Sequence, residues 1–269
     1  MIAPTNPTPL RPEPRPGALL PAVELFAREA GAVILEVYAE DFAVARKTDD
    51  TPVTVADQRA ETVLTRSLSM LTPRIPVIAE EAVAAAGAPD PAELGERFWL
   101  VDPLDGTREF VARNGEFTVN VALIERGEPV LGVVFAPALG RLYAGLVGDG
   151  AWCEDRDGRR AIHCRAVPAT GLDVVASRSH GDPAALQKFL TQHKVASVVA
   201  AGSSLKLCLL AEGRADLYPR FGRTMEWDIA AGHAVLAAAG GSVLRLDDGT
   251  PLRYGKLALE NPDFIARGA

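Results

Sequence analysis

Carboxylates at the ends of short apolar runs are the residues of this 269-residue chain whose types and spacing could do chemistry. The run Phe98 to Val101 is followed by Asp102-Pro103-Leu104-Asp105-Gly106-Thr107. The run predicts a buried strand ending at Asp102, and Pro103 and Gly106 predict a tight turn. Thr107 to Val111 then predicts the first turn of a short helix, with Thr107 near its cap. Two carboxylates, a freed backbone carbonyl at Leu104 and a helix N-terminus thus meet at one strand end. Hard divalent cations take oxygen ligands of this kind, and a phosphate takes the N–H groups and positive dipole end of a helix. The chemistry suggested is metal-assisted work on a phosphate. Taken alone, the stretch also reads as an ordinary turn in which Asp102 caps and Asp105 is solvated, because Asp and Gly are common turn residues.

Three further acidic positions repeat the arrangement. Asp57 lies in the first turn of a helix expected from near Thr54 to about Leu71, where a charge suited to the helix dipole is the simplest account. Pro76 to Ala79 predicts a strand ending in Glu80 and Glu81. Alternation along a strand sends these neighbours to opposite faces, so one at most points directly at a shared metal. Trp227-Asp228 opens a helix running to about Ala239, and Asp228 there also reads as an N-cap.

The elements that must position these residues fall into two halves. Residues 1–20, with Pro4, Pro7, Pro9, Pro12, Pro14 and Pro16, read as a disordered or extended lead-in, and Pro21 as a first helical residue. Phe26, Ala30, Val33, Ile34 and Val37 recur at helical spacing after it. Lys47 to Pro52 is a polar loop, and residues 82–95 form a loop rich in Ala, Gly and Pro. From Phe117 the period changes: strands over 117–124, 130–135, 142–147 and 151–153, separated by turns, read as an antiparallel meander. The polar stretch from Glu154 to about Thr170 marks the boundary, giving an α+β half over 21–155 and an α/β half over 156–269. The second half alternates strands over 172–176, 196–200 and 215–218 with helices over 183–192, 203–210 and 228–239, as a layered α/β unit does.

Composition excludes several classes of function. Lys plus Arg is 28 against 35 Asp plus Glu, a net charge of −7, which argues against binding a nucleic acid polymer or an acidic membrane. No apolar run approaches the roughly 20 residues that span a bilayer. Cys153, Cys164 and Cys208 include no CxxC pair and leave one odd thiol, which points to a reducing, cytoplasmic setting and away from zinc. Peripheral contact with the inner membrane, and a monomer or a homodimer, stay open.

The ordered set Asp57, Glu80-Glu81, Asp102 to Thr107 and Trp227-Asp228-Ile229-Ala230-Ala231-Gly232 resembles the lithium-sensitive, magnesium-dependent phosphatases of the inositol monophosphatase superfamily, over about residues 22 to 265. Within it the likeness is nearest to the bisphosphate nucleotidases. It rests on Gly106-Thr107-Arg108-Glu109-Phe110, Asn114 to Asn120, Ser177-Arg178-Ser179-His180, Gly202 to Lys206 and Leu217 to Gly222. Inositol monophosphatases usually have Thr-Asn where this chain has Arg108-Glu109.

The resemblance implies a layered α-β-α-β-α sandwich of the inositol monophosphatase and fructose-1,6-bisphosphatase type, with the active site between the halves. It also implies roles. Glu80, Asp102, the Leu104 carbonyl, Asp105 and Asp228 would hold two or three magnesium ions, and Glu81 would act through water or an additional ion. Thr107 and Asp57 would orient and deprotonate the attacking water, and the N–H groups of Gly106 and Thr107 would hold the phosphate. Ser203, Lys206, Arg220 and His180 would contact a nucleotide. The implied reaction removes the 3′-phosphate of adenosine 3′,5′-bisphosphate, or of its sulfated form, in sulfur metabolism. A broader sugar-phosphate or inositol phosphatase is the alternative, and a non-catalytic nucleotide-binding protein ranks below both.

Overall fold

Helix α1 (Pro16–Tyr38) begins earlier than its sequence signal, because Leu19 and Leu20 extend the buried stripe of Val23, Ala27, Ala30 and Ile34 toward the N-terminus. Pro16 takes the opening position, where a missing N–H breaks no helical bond, and Pro21 falls inside the helix. The lead-in expected over residues 1–20 is therefore helical from Pro16 onward. The computed structural model describes residues 13–40, 44–46, 52–178 and 181–269, so positions 1–12 of that lead-in lie outside the described residues.

The short antiparallel strands β1 (Val44–Arg46) and β2 (Pro52–Thr54) precede helix α2 (Val55–Leu71), which packs on α1. Strand β3 (Val77–Ala79) runs directly into helix α3 (Glu80–Ala86), and a one-turn helix α4 (Pro91–Leu94) follows. The expected loop over 82–95 is thus largely helical. Its alanines favour helix, Gly87 at φ +89 stops the first one, and the Asp90 carboxylate accepts from Ala92 N at 2.9 Å to start the second.

Strand β4 (Arg97–Asp105) leads through Gly106 to helix α5 (Thr107–Val111). The meander then runs through β5 (Thr118–Glu125), β6 (Glu128–Ala136), β7 (Arg141–Leu146), β8 (Gly150–Asp155) and β9 (Gly158–Ile162). With β3 these strands make a seven-stranded sheet in sequence order, antiparallel except for the β3–β4 pair. The β8–β9 hairpin carries this sheet past the boundary expected at 155/156. Strand β9 is exposed up to Ile162, so no alternation of apolar residues announces it.

The second half contributes β10 (Leu172–Ser177), α6 (Pro183–Leu190), β11 (Val195–Ala201), α7 (Leu205–Ala211), β12 (Leu217–Arg220), β13 (Thr224–Met225) and α8 (Glu226–Ala238). Three short strands follow: β14 (Ser242–Arg245), β15 (Glu260–Asn261) and β16 (Phe264–Arg267). The second sheet has the order β11-β10-β12-β16-β14, its first three strands parallel and the rest antiparallel.

Alternation in the first sheet separates two cores. In β5, Val119, Val121 and Leu123 join α1 and α2, whereas Ala122 and Ile124 join α7 and α8. The residues packed with Ala122 and Ile124 extend through α7 and α8 to Tyr218, Val243 and Phe264 of the second sheet. The outer face of that sheet carries a smaller cluster, Val174, Leu217 and Ile265, against Phe189 and Leu190 of α6. The layers are therefore α1–α2, seven-stranded sheet, α7–α8, five-stranded sheet and α6, the expected α-β-α-β-α sandwich. Helix α8 lies directly on the first sheet: a Cβ at Gly132 would stand 2.2 Å from the Ala231 carbonyl oxygen. No described helix is long and apolar enough to cross a membrane.

Candidate active site

The strand expected to end at Asp102 instead runs through Pro103 and Leu104 to Asp105, so no tight turn forms at Pro103 and Gly106 alone joins β4 to α5. Asp102 ends the regular pairing of β4, the register shifts between Asp102 and Asp105, and Asp102 Oδ1 accepts from Leu104 N at 3.0 Å. Gly106 caps α5 at φ +88, a conformation that suits glycine, and a Cβ there would also stand 3.2 Å from the Glu116 carbonyl oxygen. Thr107 opens the helix, and its hydroxyl lies 3.3 Å from Asp57 Oδ1 and 3.2 Å from the Leu104 carbonyl oxygen.

Asp57 reaches this junction from α2, where it is the third helical residue and buried. Its Oδ2 accepts from Thr54 N at 2.7 Å and from the Thr54 hydroxyl at 2.8 Å, which leaves Oδ1 toward Thr107. Asp228 uses the same device on α8. The helix starts at Glu226, so Asp228 is its third residue rather than its N-cap, and Oδ2 accepts from Met225 N at 2.8 Å. Glu80 and Glu81 open α3 and do not end a strand. Successive helical residues diverge by about 100°, and of the two only Glu80 lines the cavity described next.

That cavity, about 790 Å³, gathers most of the expected residues. Glu80, Asp102, Leu104, Asp105, Gly106 and Thr107 line it from the first half. Ser203, Lys206, Arg220 and Asp228 line it from the second. Asp57 touches it through Thr107, Glu81 is not part of its wall, and His180 lies outside the described residues.

The acidic groups on its floor repel one another. Burial, reinforced by Glu80, Asp105 and Asp228 nearby and by a hydrogen bond with Glu80, holds the Asp102 carboxyl well above the usual range. Burial first, then Asp105 and Glu80, push Asp228 up to about 8. Asp105 rises to about 6 through burial, against the opposing pull of Lys206 and the Ser204 N–H. Protons or a cation must compensate such a cluster.

The donor set is oxygen throughout, four carboxylates and the Leu104 carbonyl, with no Cys or His among the described residues of the wall, which fits a hard divalent cation. Among the described residues no three or more His, Cys, Asp or Glu side chains are grouped as they would be around a bound metal ion. Asp102, Asp105 and Asp228 each give one oxygen to a backbone N–H, and Asp102 also bonds Glu80.

Facing this floor is a basic wall. Lys206 Nζ donates to the Ser203 and Ala201 carbonyls, and burial lowers its pKa to about 8 although Asp105 opposes the shift. Arg220 Nη2 donates to the Arg223 carbonyl at 2.9 Å, and Arg108 and Arg223 stand at the mouth. Ser203 adopts φ +45, and its buried hydroxyl has no hydrogen-bond partner among the described residues.

Sequence reasoning gave no role to the groups that hold Asp105. Ser204 N donates to Asp105 Oδ2 at 2.6 Å, Asn120 Nδ2 donates to the same oxygen at 3.3 Å, and the Ser204 hydroxyl donates to Asn120 Oδ1 at 2.7 Å. The available signal was Asn120, an amide side chain set between the apolar Val119 and Val121 of β5.

The chain is similar to known proteins over most of its length. The model of the inositol monophosphatase family matches residues 19–268. A Salmonella typhimurium protein named 3′(2′),5′-bisphosphate nucleotidase CysQ is 51% identical over 228 residues, 84% of this chain and 89% of its own. The protein of the same name from Escherichia coli K12 is 47% identical over 255 residues, 91% and 98% of the two chains. The crystal structure of CysQ from Bacteroides thetaiotaomicron superposes with a TM-score of 0.78 at 37% identity, covering 91% of this chain and 96% of that one. The chain belongs to the inositol monophosphatase family.

Proposed function

We propose that this protein is a magnesium-dependent phosphatase that hydrolyses the 3′-phosphate of adenosine 3′,5′-bisphosphate, giving AMP and phosphate. The observation that carries the reading is the pairing, in one cavity, of an acidic floor with a basic wall. A substrate bearing two phosphates can leave one over the acids for cleavage and the other against Lys206 and Arg220. Relatives named for this activity, at about half identity over most of both chains, support the choice of substrate. The sulfated nucleotide carries the same 3′-phosphate and is proposed as a second substrate, which would place the protein in sulfate assimilation.

Glu80, Asp102, the Leu104 carbonyl, Asp105 and Asp228 would hold two or three magnesium ions, with Glu81 acting through water. Bound there, the ions would lower the pKa of water and neutralise charge on the phosphate and its leaving oxygen. The chain's own groups do the rest. The Thr107 hydroxyl accepts from the attacking water while donating to Asp57, so the proton leaving the water passes toward a carboxylate held by Thr54. The N–H groups of Gly106 and Thr107 at the start of α5 orient the phosphate. The Ser203 hydroxyl and the Lys206 ammonium receive the remainder of the nucleotide. Water adds to phosphorus, the bond to the 3′ oxygen breaks, and that oxygen takes up a proton from solvent.

The test is phosphate release from adenosine 3′,5′-bisphosphate, inositol 1-phosphate and fructose 1,6-bisphosphate, with magnesium or a chelator, alongside Asp102→Asn. Selective, magnesium-dependent release from the nucleotide, lost in a folded Asp102→Asn, is the expected result. Preference for a sugar phosphate would keep the floor and reject the roles given to Ser203, Lys206 and Arg220. No release from any of them would leave a nucleotide-binding protein, and wild-type turnover in Asp102→Asn would overturn the metal assignment.

A further inference from the structure

Glu61 lies one helical turn beyond Asp57 on α2 and is 9% exposed, yet it does not line the cavity. Its two carboxylate oxygens are spent on the backbone of another element. Oε2 accepts from Glu81 N at 2.7 Å and Oε1 accepts from Ala82 N at 2.9 Å. These are N–H groups of the first turn of α3, which have no partner within their own helix. Residue 79, which precedes α3, is an alanine and supplies no side-chain cap. A side chain from a different helix, twenty residues away in sequence, does the capping instead.

The position of this contact gives it a second meaning. Helix α3 is short, seven residues, and has no fully buried side chain. It packs on the core through the half-buried Val83. Glu80, its first residue, reaches the cavity only if the helix starts at the right place and turns at the right angle. A two-oxygen grip on the next two backbone amides sets both. Helix α2, pinned on the α1 core by Ala60, Leu64 and Leu68, is long enough to act as a rigid ruler. It carries Asp57 toward Thr107 at one level and Glu61 toward α3 a turn later.

We infer that Glu61 is a positioning residue that fixes Glu80 for cation binding by clamping the first turn of α3 to α2. The inference rests on the assignment of Glu80 as a cation ligand proposed above. Glu61 touches neither substrate nor ion and acts through backbone placement alone. In Glu61→Gln one amide oxygen still accepts from one N–H, but the NH2 group then faces the other donor, so half of the clamp is lost. In Glu61→Asp the carboxylate keeps its charge but falls one methylene short of α3.

The test is Mn2+ affinity of the substrate-free full-length protein, read by electron paramagnetic resonance, together with the thermal midpoint in chelator. The panel is wild type, Glu61→Gln, Glu61→Asp, Glu80→Gln and Thr72→Val. The last variant removes a buried hydrogen bond from Trp99 Nε1 to the Thr72 hydroxyl, 2.9 Å, away from the cavity. Mn2+ binding is expected to weaken about 10- to 100-fold in Glu61→Gln, the range typical of groups that orient metal ligands. It should stay within twofold of wild type in Thr72→Val, even where the thermal midpoint falls equally. KM for the nucleotide at saturating magnesium should be unchanged in Glu61→Gln, since no substrate contact is removed. Should Glu61→Gln fail to fold, Glu61→Asp carries the same expectation.

Weakened binding in Glu80→Gln with wild-type affinity in both Glu61 variants would overturn the positioning role and leave the metal reading intact. Weakening in Thr72→Val as large as in Glu61→Gln would reduce Glu61 to a stability residue. Unchanged binding in Glu80→Gln would overturn the ligand assignment and this inference with it.

Discussion

Asp57 and Asp228 reach the site by one local rule. Each is the third residue of its helix, and each gives one oxygen to the backbone N–H of the residue before the helix, Thr54 or Met225. That bond fixes the side chain's rotation and turns the other oxygen outward. The outcomes differ because the surroundings differ: Asp57 meets the Thr107 hydroxyl, whereas Asp228 meets the crowded floor of Asp102 and Asp105. A change at Asp57 should therefore damage proton transfer more than binding. In Asp57→Asn the amide can keep the bond to Thr54 only by presenting its NH2 to Thr107, which reverses the donor and acceptor at the hydroxyl. A fall in kcat of about 10²- to 10⁴-fold is expected, the usual contribution of a positioned base, with KM for the nucleotide little changed. Steady-state kinetics decide it, and a KM rise at constant kcat would assign Asp57 to binding instead.

Helix α8 shows at the scale of an element how site and core are built from the same residues. Its first turn presents Asp228, and its next turns are buried almost all round, with Ala230, Ala231 and Gly232 close on the first sheet and on Leu207. His233 is part of this packing, with Nδ1 2.8 Å from the Tyr254 hydroxyl. Burial lowers its pKa to about 3. A histidine kept neutral in the fold but free to protonate near 6.5 when unfolded favours the unfolded chain as pH falls below about 6.5. The stability it supports is whole above that pH and is lost progressively toward 3. His233→Gln, which cannot charge, should lose less stability than wild type between pH 7 and 4. Thermal midpoints of both proteins measure this, and a gap between them that is constant with pH would contradict it. Sequence made α8 legible because its apolar residues are unbroken from Ile229 to Ala231, and it made the start of α5 legible because Gly106 and Thr107 each have a strong local preference, whereas Pro103 suggested a turn where β4 continues to Asp105. It misplaced Glu80 and Glu81 on a strand, since a three-residue strand and a seven-residue helix leave too little periodicity to separate them. It left Glu61 without a role because a polar group on a helix face looks solvated until the element opposite it is known.

At the scale of the whole molecule the cavity is where the two halves meet, and its acids come from both: Glu80, Asp102, Asp105 and Glu109 from the first, Asp228 from α8 beneath the second sheet. Further contacts tie the halves at its rim. Arg178 Nη2 lies 2.9 and 3.0 Å from the Glu116 carboxylate, and Gly202 N donates to the same group at 2.8 Å. The joint is therefore polar and charged at the cavity, beside the apolar layer of α7 and α8 that packs the two sheets together. Without a cation, the raised pKa values of Asp105, about 6, and Asp228, about 8, mean that the folded chain binds protons more tightly than the unfolded one, where each carboxyl returns to about 3.8. For a carboxylate raised in this way the linkage runs opposite to that of His233: stability is fully present below about 3.8 and is lost as pH rises through 6 toward 8. Magnesium would replace the protons as the compensating charge, and its stabilisation should grow as the protons leave. The thermal midpoint in chelator is therefore expected to fall between pH 5 and 8.5, while that in excess magnesium holds nearly level, so that the gap between them widens with pH. A gap of the same size at both ends would mean that Asp105 and Asp228 ionise independently of the cation. The electrostatic account of the joint would then be wrong, even if the enzyme turned over.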